Sequence, residues 1–251
     1  MLFPNRINSY FVNVLAFMGY KVIRITKEDK LKKIDASLID PRSIKTYGSL
    51  PYAGDALEYM VENFDFETVL DIGSGEGLHG YLLRGMGKSV TSIDYGESLY
   101  FKKKEKHYDC ITADYGSYKF DCPFDAIWAS HVLEHQLNPN IFLKKIHSDL
   151  KEGGVLAITV PPLKHEIVGG HVTLWNAGLL LYQLVLAGFN CREASIKSYG
   201  YNISVVIKKE SIKSYPEISY DSGDIDKLSE FFPKGFSEPF DGDIKLLNWA
   251  T

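Results

Sequence analysis

Three glycines on alternate positions close the stretch Val69-Leu-Asp-Ile-Gly-Ser-Gly-Glu-Gly77, with the acid Asp71 just upstream. Glycine at positions 73, 75 and 77 lets a backbone turn tightly and approach a ligand with no side chain intervening, and Ser74 adds a hydroxyl. A second acid, Asp94, followed by Tyr95, ends the next apolar run about 20 residues further on, where a carboxylate can accept both hydroxyls of a ribose. The pairs Asp114-Tyr115 and Ser130-His131 end two more such runs. A dinucleotide fingerprint, G-x-G-x-x-G, needs glycine where this chain has Leu78, and a carboxylate at Asp71 would repel a pyrophosphate. The chemistry that suits these residues is a phosphate-free nucleoside carrying positive charge.

A second group lies between Pro161 and Asn176: His165, Glu166, the pair Gly169-Gly170, His171 and Trp175. The glycine pair permits sharp turning, and Trp175 offers a flat face for a sugar or planar ring. His171 is expected to contact or deprotonate an acceptor, since neutral imidazole is the usual base near neutral pH, and His131 is the alternative. A packing or capping role for His171 is equally open from sequence. Asp114 has a competing reading as the cap of a following helix through Tyr115-Gly-Ser. Glu134 and His135 read as cap and surface residues of a helix after the fourth strand, and Trp128 reads as core. No metal-ligand spacing stands out, so no metal is expected. Cys110, Cys122 and Cys191 are scattered and read as free thiols in a reducing, cytoplasmic compartment.

These residues need a scaffold that brings strand ends together. The chain has 251 residues, 45% hydrophobic and 24% charged, enough for one good core with additions. From about 52 to 209, short apolar runs alternate with helix-length segments, the signature of βα units on a parallel sheet. Strands are expected at Thr68 to Ile72, Ser89 to Ile93, Tyr108 to Ala113, Phe124 to Ala129, Gly154 to Val160, Asn190 to Lys197 and Asn202 to Lys208. A hairpin-sized turn, Ser198 to Tyr201, joins the last two. The expected fold is α/β, a Rossmann-like doubly wound seven-stranded sheet, mostly parallel with an antiparallel final hairpin. Residues 1–51 form an N-terminal addition and residues 210–251 a C-terminal extension rich in proline and aromatics, which packs on the core or on a partner. The apolar stretch Tyr10 to Tyr20 is read as a buried element, with no transmembrane span.

The ordered set of motifs resembles the class I S-adenosylmethionine-dependent methyltransferases. It comprises Val69-LDIGSGEG-Gly77, Ser92-Ile-Asp94, Ala113-Asp114, Ala129-SHVLEH-His135 and Leu150-KEGGVLAITVP-Pro161. Within that class, HVLEH followed by LKEGG is similar to the small-molecule branch. The resemblance implies S-adenosyl-L-methionine as cofactor and S-adenosyl-L-homocysteine as product. Gly73, Gly75 and Gly77, with Ser74, would line the methionine and ribose portion, and Asp71 would orient that loop or reach the ligand's amino group through water. Asp94, beside Tyr95, would hold the ribose hydroxyls; Asp114 and the Tyr115 backbone would meet the adenine; Ser130 and His131 would stand near the methyl group.

The expected activity is methyl transfer to an O or N atom of a small molecule, with a sugar or glycan precursor among the acceptors considered. The alternatives are a protein or nucleic-acid methyltransferase and a non-catalytic cofactor-binding scaffold. A net charge of −4 gives no footprint for nucleic acid, and Lys102, Lys103, Lys104 and Lys106 read as a solvated face. A homodimer is compatible with the sequence. The N-terminal addition, including Tyr47 to Tyr52, and the aromatic tail are expected to contribute to an acceptor cap.

Overall fold

The computed structural model describes residues 50, 52–104 and 109–249. The expectations placed on Tyr10 to Tyr20, on an acceptor cap from residues 1–51, on Lys106 and on Tyr108 as a strand start lie outside the described residues.

Helix α1 (Gly54–Asn63) leads into β1 (Thr68–Ile72), α2 (Leu78–Gly85), β2 (Ser89–Asp94), β3 (Ile111–Thr112) and β4 (Phe124–Ser130). Then come α3 (Pro139–Asp149), β5 (Leu150–Val160), α4 (Ala177–Leu186), β6 (Ser195–Tyr199), β7 (Asn202–Lys208), α5 (Asp224–Lys227) and β8 (Leu246–Leu247). They form one sheet in the order β3-β2-β1-β4-β5-β7-β6-β8. Pairings from β3 through β5 are parallel; β7 runs antiparallel to β5 and β6. The seven expected strands are present, and the tail adds an eighth.

The central strands carry continuous apolar runs because both sheet faces are covered. Val69, Leu70 and Ile72 of β1 and Ala126 to Ala129 of β4 are buried on opposite faces. Helix α4, AGLLLYQLVL, is apolar almost all round and buries Leu180, Leu181, Leu184 and Val185. Its start is fixed by Asn176, whose Oδ1 accepts from the Leu179 N–H at 2.7 Å, a cap worth about 1 kcal/mol.

Two strands run one residue longer than the sequence reading, to Asp94 and Ser130, and three differ by more. The third shrinks to Ile111–Thr112 at the sheet edge. The sixth starts at Ser195 because the Asn190 and Cys191 N–H groups donate to Glu210 and Phe231 carbonyls instead of joining the ladder. The fifth starts early, at Leu150, through a register shift between Phe124 and Ala126. Gly154 is required there, since a Cβ would sit 2.7 Å from the Asp125 carbonyl oxygen.

Residues 210–249 pack on the core. β8 pairs with β6, Trp249 stacks on Tyr59 of α1 at 4.2 Å, and Phe236 meets Phe240 at 4.7 Å. A groove of about 690 Å³ runs between α4 and this tail, lined in part by Tyr182, Gln183, Tyr220 and Phe240, and none of the strand-end residues lines it.

Candidate active site

Strand order reverses at β1, which has β2 on one side and β4 on the other. Their carboxyl ends therefore open onto one crevice, where ligands bind in open α/β sheets. The loop after β1 enters it with Gly73, Gly75 and Gly77 at φ of 71°, 52° and 88°. A Cβ on Gly73 would lie 2.3 Å from Val132 Cγ2, so only glycine lets the loop pass the residue after His131. The Gly73 N–H donates to the Ile93 carbonyl at 2.8 Å, drawing the loop against β2.

Asp94 completes this link. Its Oδ2 accepts from the Gly75 N–H and its Oδ1 from the Gly96 N–H, each at 2.8 Å. Each carboxylate oxygen keeps a further lone-pair direction for a ligand hydroxyl. Asp71 is buried beneath the loop, and Ser74 Oγ lies 3.3 Å from Cys110 Sγ, whose thiol is pushed up by burial. Tyr95 is 71% exposed.

Asp114 is exposed and no helix follows it; its Oδ1 instead accepts from the Gly116 N–H at 3.1 Å within its own turn. Tyr115 turns its side chain into the core, donating to Asp149 Oδ2 at 2.9 Å; burial drives its hydroxyl pKa far above normal. Ser130 Oγ is buried with no hydrogen-bond partner among the described residues.

His131 stands at the end of β4 with φ of 54°, uncommon for a non-glycine residue. Its N–H donates to the Thr159 carbonyl at 2.9 Å, and its ring lies between Tyr52 at 4.7 Å and Tyr201 at 6.0 Å. A hydrogen bond to Tyr100, then burial, raises the Tyr52 hydroxyl pKa. His131 Nε2 is 3.0 Å from Asn202 Oδ1. The Asn202 amide donates to the Tyr199 carbonyl while Oδ1 accepts from the Ala53 N–H. That network assigns the proton to His131 Nε2, leaving Nδ1, 3.4 Å from Glu134 Oε1, as the bare nitrogen.

Glu134 is the main correction to the sequence reading. It lies in a single 3₁₀ turn, Leu133–His135, rather than on a long helix, and is only 1% exposed. Its carbonyl accepts from the Val172 and Thr173 N–H groups, pinning the 161–176 loop onto this turn. His135 is exposed, as expected, but its Nδ1 is 2.7 Å from the Gly170 carbonyl. His171 packs edge-on against His135 at 5.1 Å. Burial lowers the His171 imidazole pKa below its ordinary 6.5, opposed by nearby Glu134.

Trp175 also departs from expectation. It is 2% exposed and its Nε1 donates to Thr173 Oγ1 at 2.9 Å; it belongs to the core and offers no face to an acceptor. Trp128 is core, as read. His165 and Glu166 are exposed on the same loop. Sequence reasoning missed Asn202, Tyr100 and Tyr201, whose link to His131 crosses between distant strands and loops. It saw Glu134 without its burial, although the i, i+3 spacing to His131 was visible.

This crevice suits S-adenosylmethionine. The Gly73 cradle has no room for a side chain, Asp94 is held with acceptor capacity to spare, and Ser130 Oγ has no partner among the described residues. Comparison with known proteins agrees. The family model described as a methyltransferase domain matches residues 48–192. Over 144 residues the chain is 30% identical to (S)-coclaurine N-methyltransferase of Papaver somniferum, covering 47% of this chain and 41% of that one. Over 103 residues it is 33% identical to the mitochondrial ubiquinone biosynthesis O-methyltransferase of Rattus norvegicus, covering 36% and 30%. The chain thus spans less than half the length of both relatives. The solved structure of the PH0226 protein from Pyrococcus horikoshii OT3 shares the fold at a TM-score of 0.51 and 19% identity, over 62% of this chain and 89% of that one. With more than half of its residues inside the family match, the glycine loop, Asp94 and His131 among them, the chain belongs to the methyltransferase-domain family of class I S-adenosylmethionine-dependent methyltransferases.

Proposed function

We propose that the protein transfers a methyl group from S-adenosylmethionine to an O or N atom of a small molecule, with sugars or glycan precursors one acceptor class to test. The observation that carries this reading is the pair of hydrogen bonds from Gly75 and Gly96 to Asp94, opening beside His131. Gly73, Gly75, Gly77 and Ser74 cradle the cofactor, with Asp71 supporting their loop. Asp94 accepts the ribose hydroxyls, Tyr95 flanks them, and Asp114 with the Tyr115 backbone meets the adenine. Ser130 and His131 face the methyl end. The cofactor supplies a sulfonium-activated methyl; the acceptor lone pair forms the new C–O or C–N bond as the C–S bond breaks, its electrons stay on sulfur, and the acceptor proton is released.

Orientation contributes most in such a displacement, up to about 7–11 kcal/mol in well-aligned systems. His171 contacts the acceptor on the loop side, and His131, tied at Nε2 by Asn202, is the other candidate for that contact. The two relatives, by their names an N- and an O-methyltransferase, support the acceptor range. Calorimetry with S-adenosylhomocysteine, followed by a screen of small hydroxyl and amine acceptors for product, tests the reading. Absence of binding at millimolar ligand overturns it; binding without product from any acceptor favours a scaffold.

A further inference from the structure

Next to the methyl end, several lone pairs converge with too few protons between them. Glu134 Oε1 lies 3.4 Å from His131 Nδ1 and 3.8 Å from His135 Nε2. Asn202 holds the His131 proton on Nε2. The Gly170 carbonyl, which can only accept, holds the His135 proton on Nδ1 at 2.7 Å. Both nitrogens turned to the carboxylate are therefore bare in the neutral rings. Glu134 is buried, and its Oε2 has no hydrogen-bond partner among the described residues. Lone pairs left without donors at a buried site are costly, and a bound cation would satisfy them.

We propose that Glu134, His135 and His171 bind a divalent transition-metal ion of the zinc class at the acceptor side of the crevice. One ligand atom from each of the three lies within 4.8 Å of the others. Two bonds of about 2.1 Å span the 3.8 Å between Glu134 Oε1 and His135 Nε2, and the widest pair closes by about 1 Å on ligation. Two imidazoles and one carboxylate suit zinc, cobalt or iron better than magnesium or calcium. The Gly170 carbonyl acts as the outer partner that fixes a ligand's tautomer, and the backbone bonds from Val172 and Thr173 to Glu134 hold the two halves of the site together. His135 is exposed and His171 partly so, which leaves coordination positions open to an acceptor oxygen or nitrogen. The inference deepens the methyl-transfer reading and rests on it for its role: the ion would bind the acceptor and stabilise the deprotonated hydroxyl, with His171 touching the acceptor through the ion.

The test uses the full chain, stripped with chelator and titrated with Co²⁺ and Zn²⁺ while S-adenosylhomocysteine binding is followed on the same samples. The expected result is one Co²⁺ per chain with a visible absorption band, displaced by Zn²⁺. Glu134→Gln and His135→Ala/His171→Ala should weaken binding at least about 100-fold, in excess of the 10–100-fold typical of outer-partner losses. Because Glu134→Gln changes no volume, its retained S-adenosylhomocysteine affinity shows that the chain is folded. No Co²⁺ binding, or binding undiminished in the double variant, overturns the inference; an imidazolium–carboxylate pair then supplies the charge. Failure of S-adenosylhomocysteine to bind while Co²⁺ binds instead removes the methyl-transfer reading and leaves the metal site standing.

Discussion

The Gly75 N–H donates to Asp94 Oδ2 at 2.8 Å, so the glycine loop after β1 and the acid after β2 are one device. The bond aims the carboxylate and shapes the loop at once. Damage to either partner should therefore reach the cofactor.

Asp94→Asn removes the charge that two backbone amides point at. Hydrogen bonds to a charged group contribute about 1.5–3 kcal/mol each before compensation. S-adenosylhomocysteine affinity should fall by about 10–100-fold in calorimetry, with the melting temperature of the ligand-free protein shifting by only a few degrees.

Gly73→Ala should be worse. Its Cβ would meet Val132 Cγ2 at 2.3 Å with the backbone at φ of 71°, and the left-handed conformation alone costs about 1–2 kcal/mol. The loop must move, and S-adenosylhomocysteine binding should drop at least about 100-fold while circular dichroism stays native. Near-normal affinity would show that the cradle is not where the cofactor sits.

Asn202→Ala should act on turnover more than on cofactor binding. Asn202 ties His131 Nε2 to the Ala53 and Tyr199 backbones, so its loss frees the ring that we propose faces the methyl end. With a working acceptor, kcat should fall about 10-fold or more and S-adenosylhomocysteine affinity should hold.

His79 sets a pH dependence of stability. Burial lowers its imidazole pKa to about 4, with its hydrogen bond to the Tyr52 carbonyl opposing. The unfolded chain, at the ordinary value near 6.5, takes up the proton first as pH falls. His79's contribution is therefore full above about pH 6.5 and is lost on going down towards pH 4, a loss on the order of 2 kcal/mol. Denaturant midpoints of His79→Gln between pH 7 and 4.5 should show a shallower decline than the parent; parallel declines would refute the assignment.

Asp125→Asn tests the base of the sheet. Asp125 accepts from the Thr68 N–H and hydroxyl and from Lys151 Nζ, and the Lys151 ammonium, then the Thr68 bonds, holds its carboxyl well below the usual range. With Lys151 half exposed, the pair is discounted for screening, and a loss of about 1–2 kcal/mol in urea unfolding at pH 7 is expected. The loss should vanish in strong acid, where the carboxylate is protonated in both states.

Much of this molecule is local in sequence. The βα alternation, the glycine loop and the acids at strand ends are patterns of a few residues whose meaning comes from backbone conformation and burial on both sheet faces. For this reason Thr68–Ile72 and Asn202–Lys208 fall where the apolar runs place them. The two-residue strand Leu246–Leu247 had no signal of its own, because only its pairing with Ile196 and Lys197 makes it a strand. Likewise, nothing in Ser-His-Val-Leu-Glu-His tells that Glu134 is buried, or that Asn202, 71 residues on from His131, decides which of its nitrogens holds a proton. Trp175, read as a platform for a ring, is core because the loop that carries it folds back under Glu134. The order of the strands and the glycine loop after the first of them are determined by the sequence itself. The surroundings of His131 and Glu134 are decided only by the tertiary structure, since burial and long-range hydrogen bonds set them.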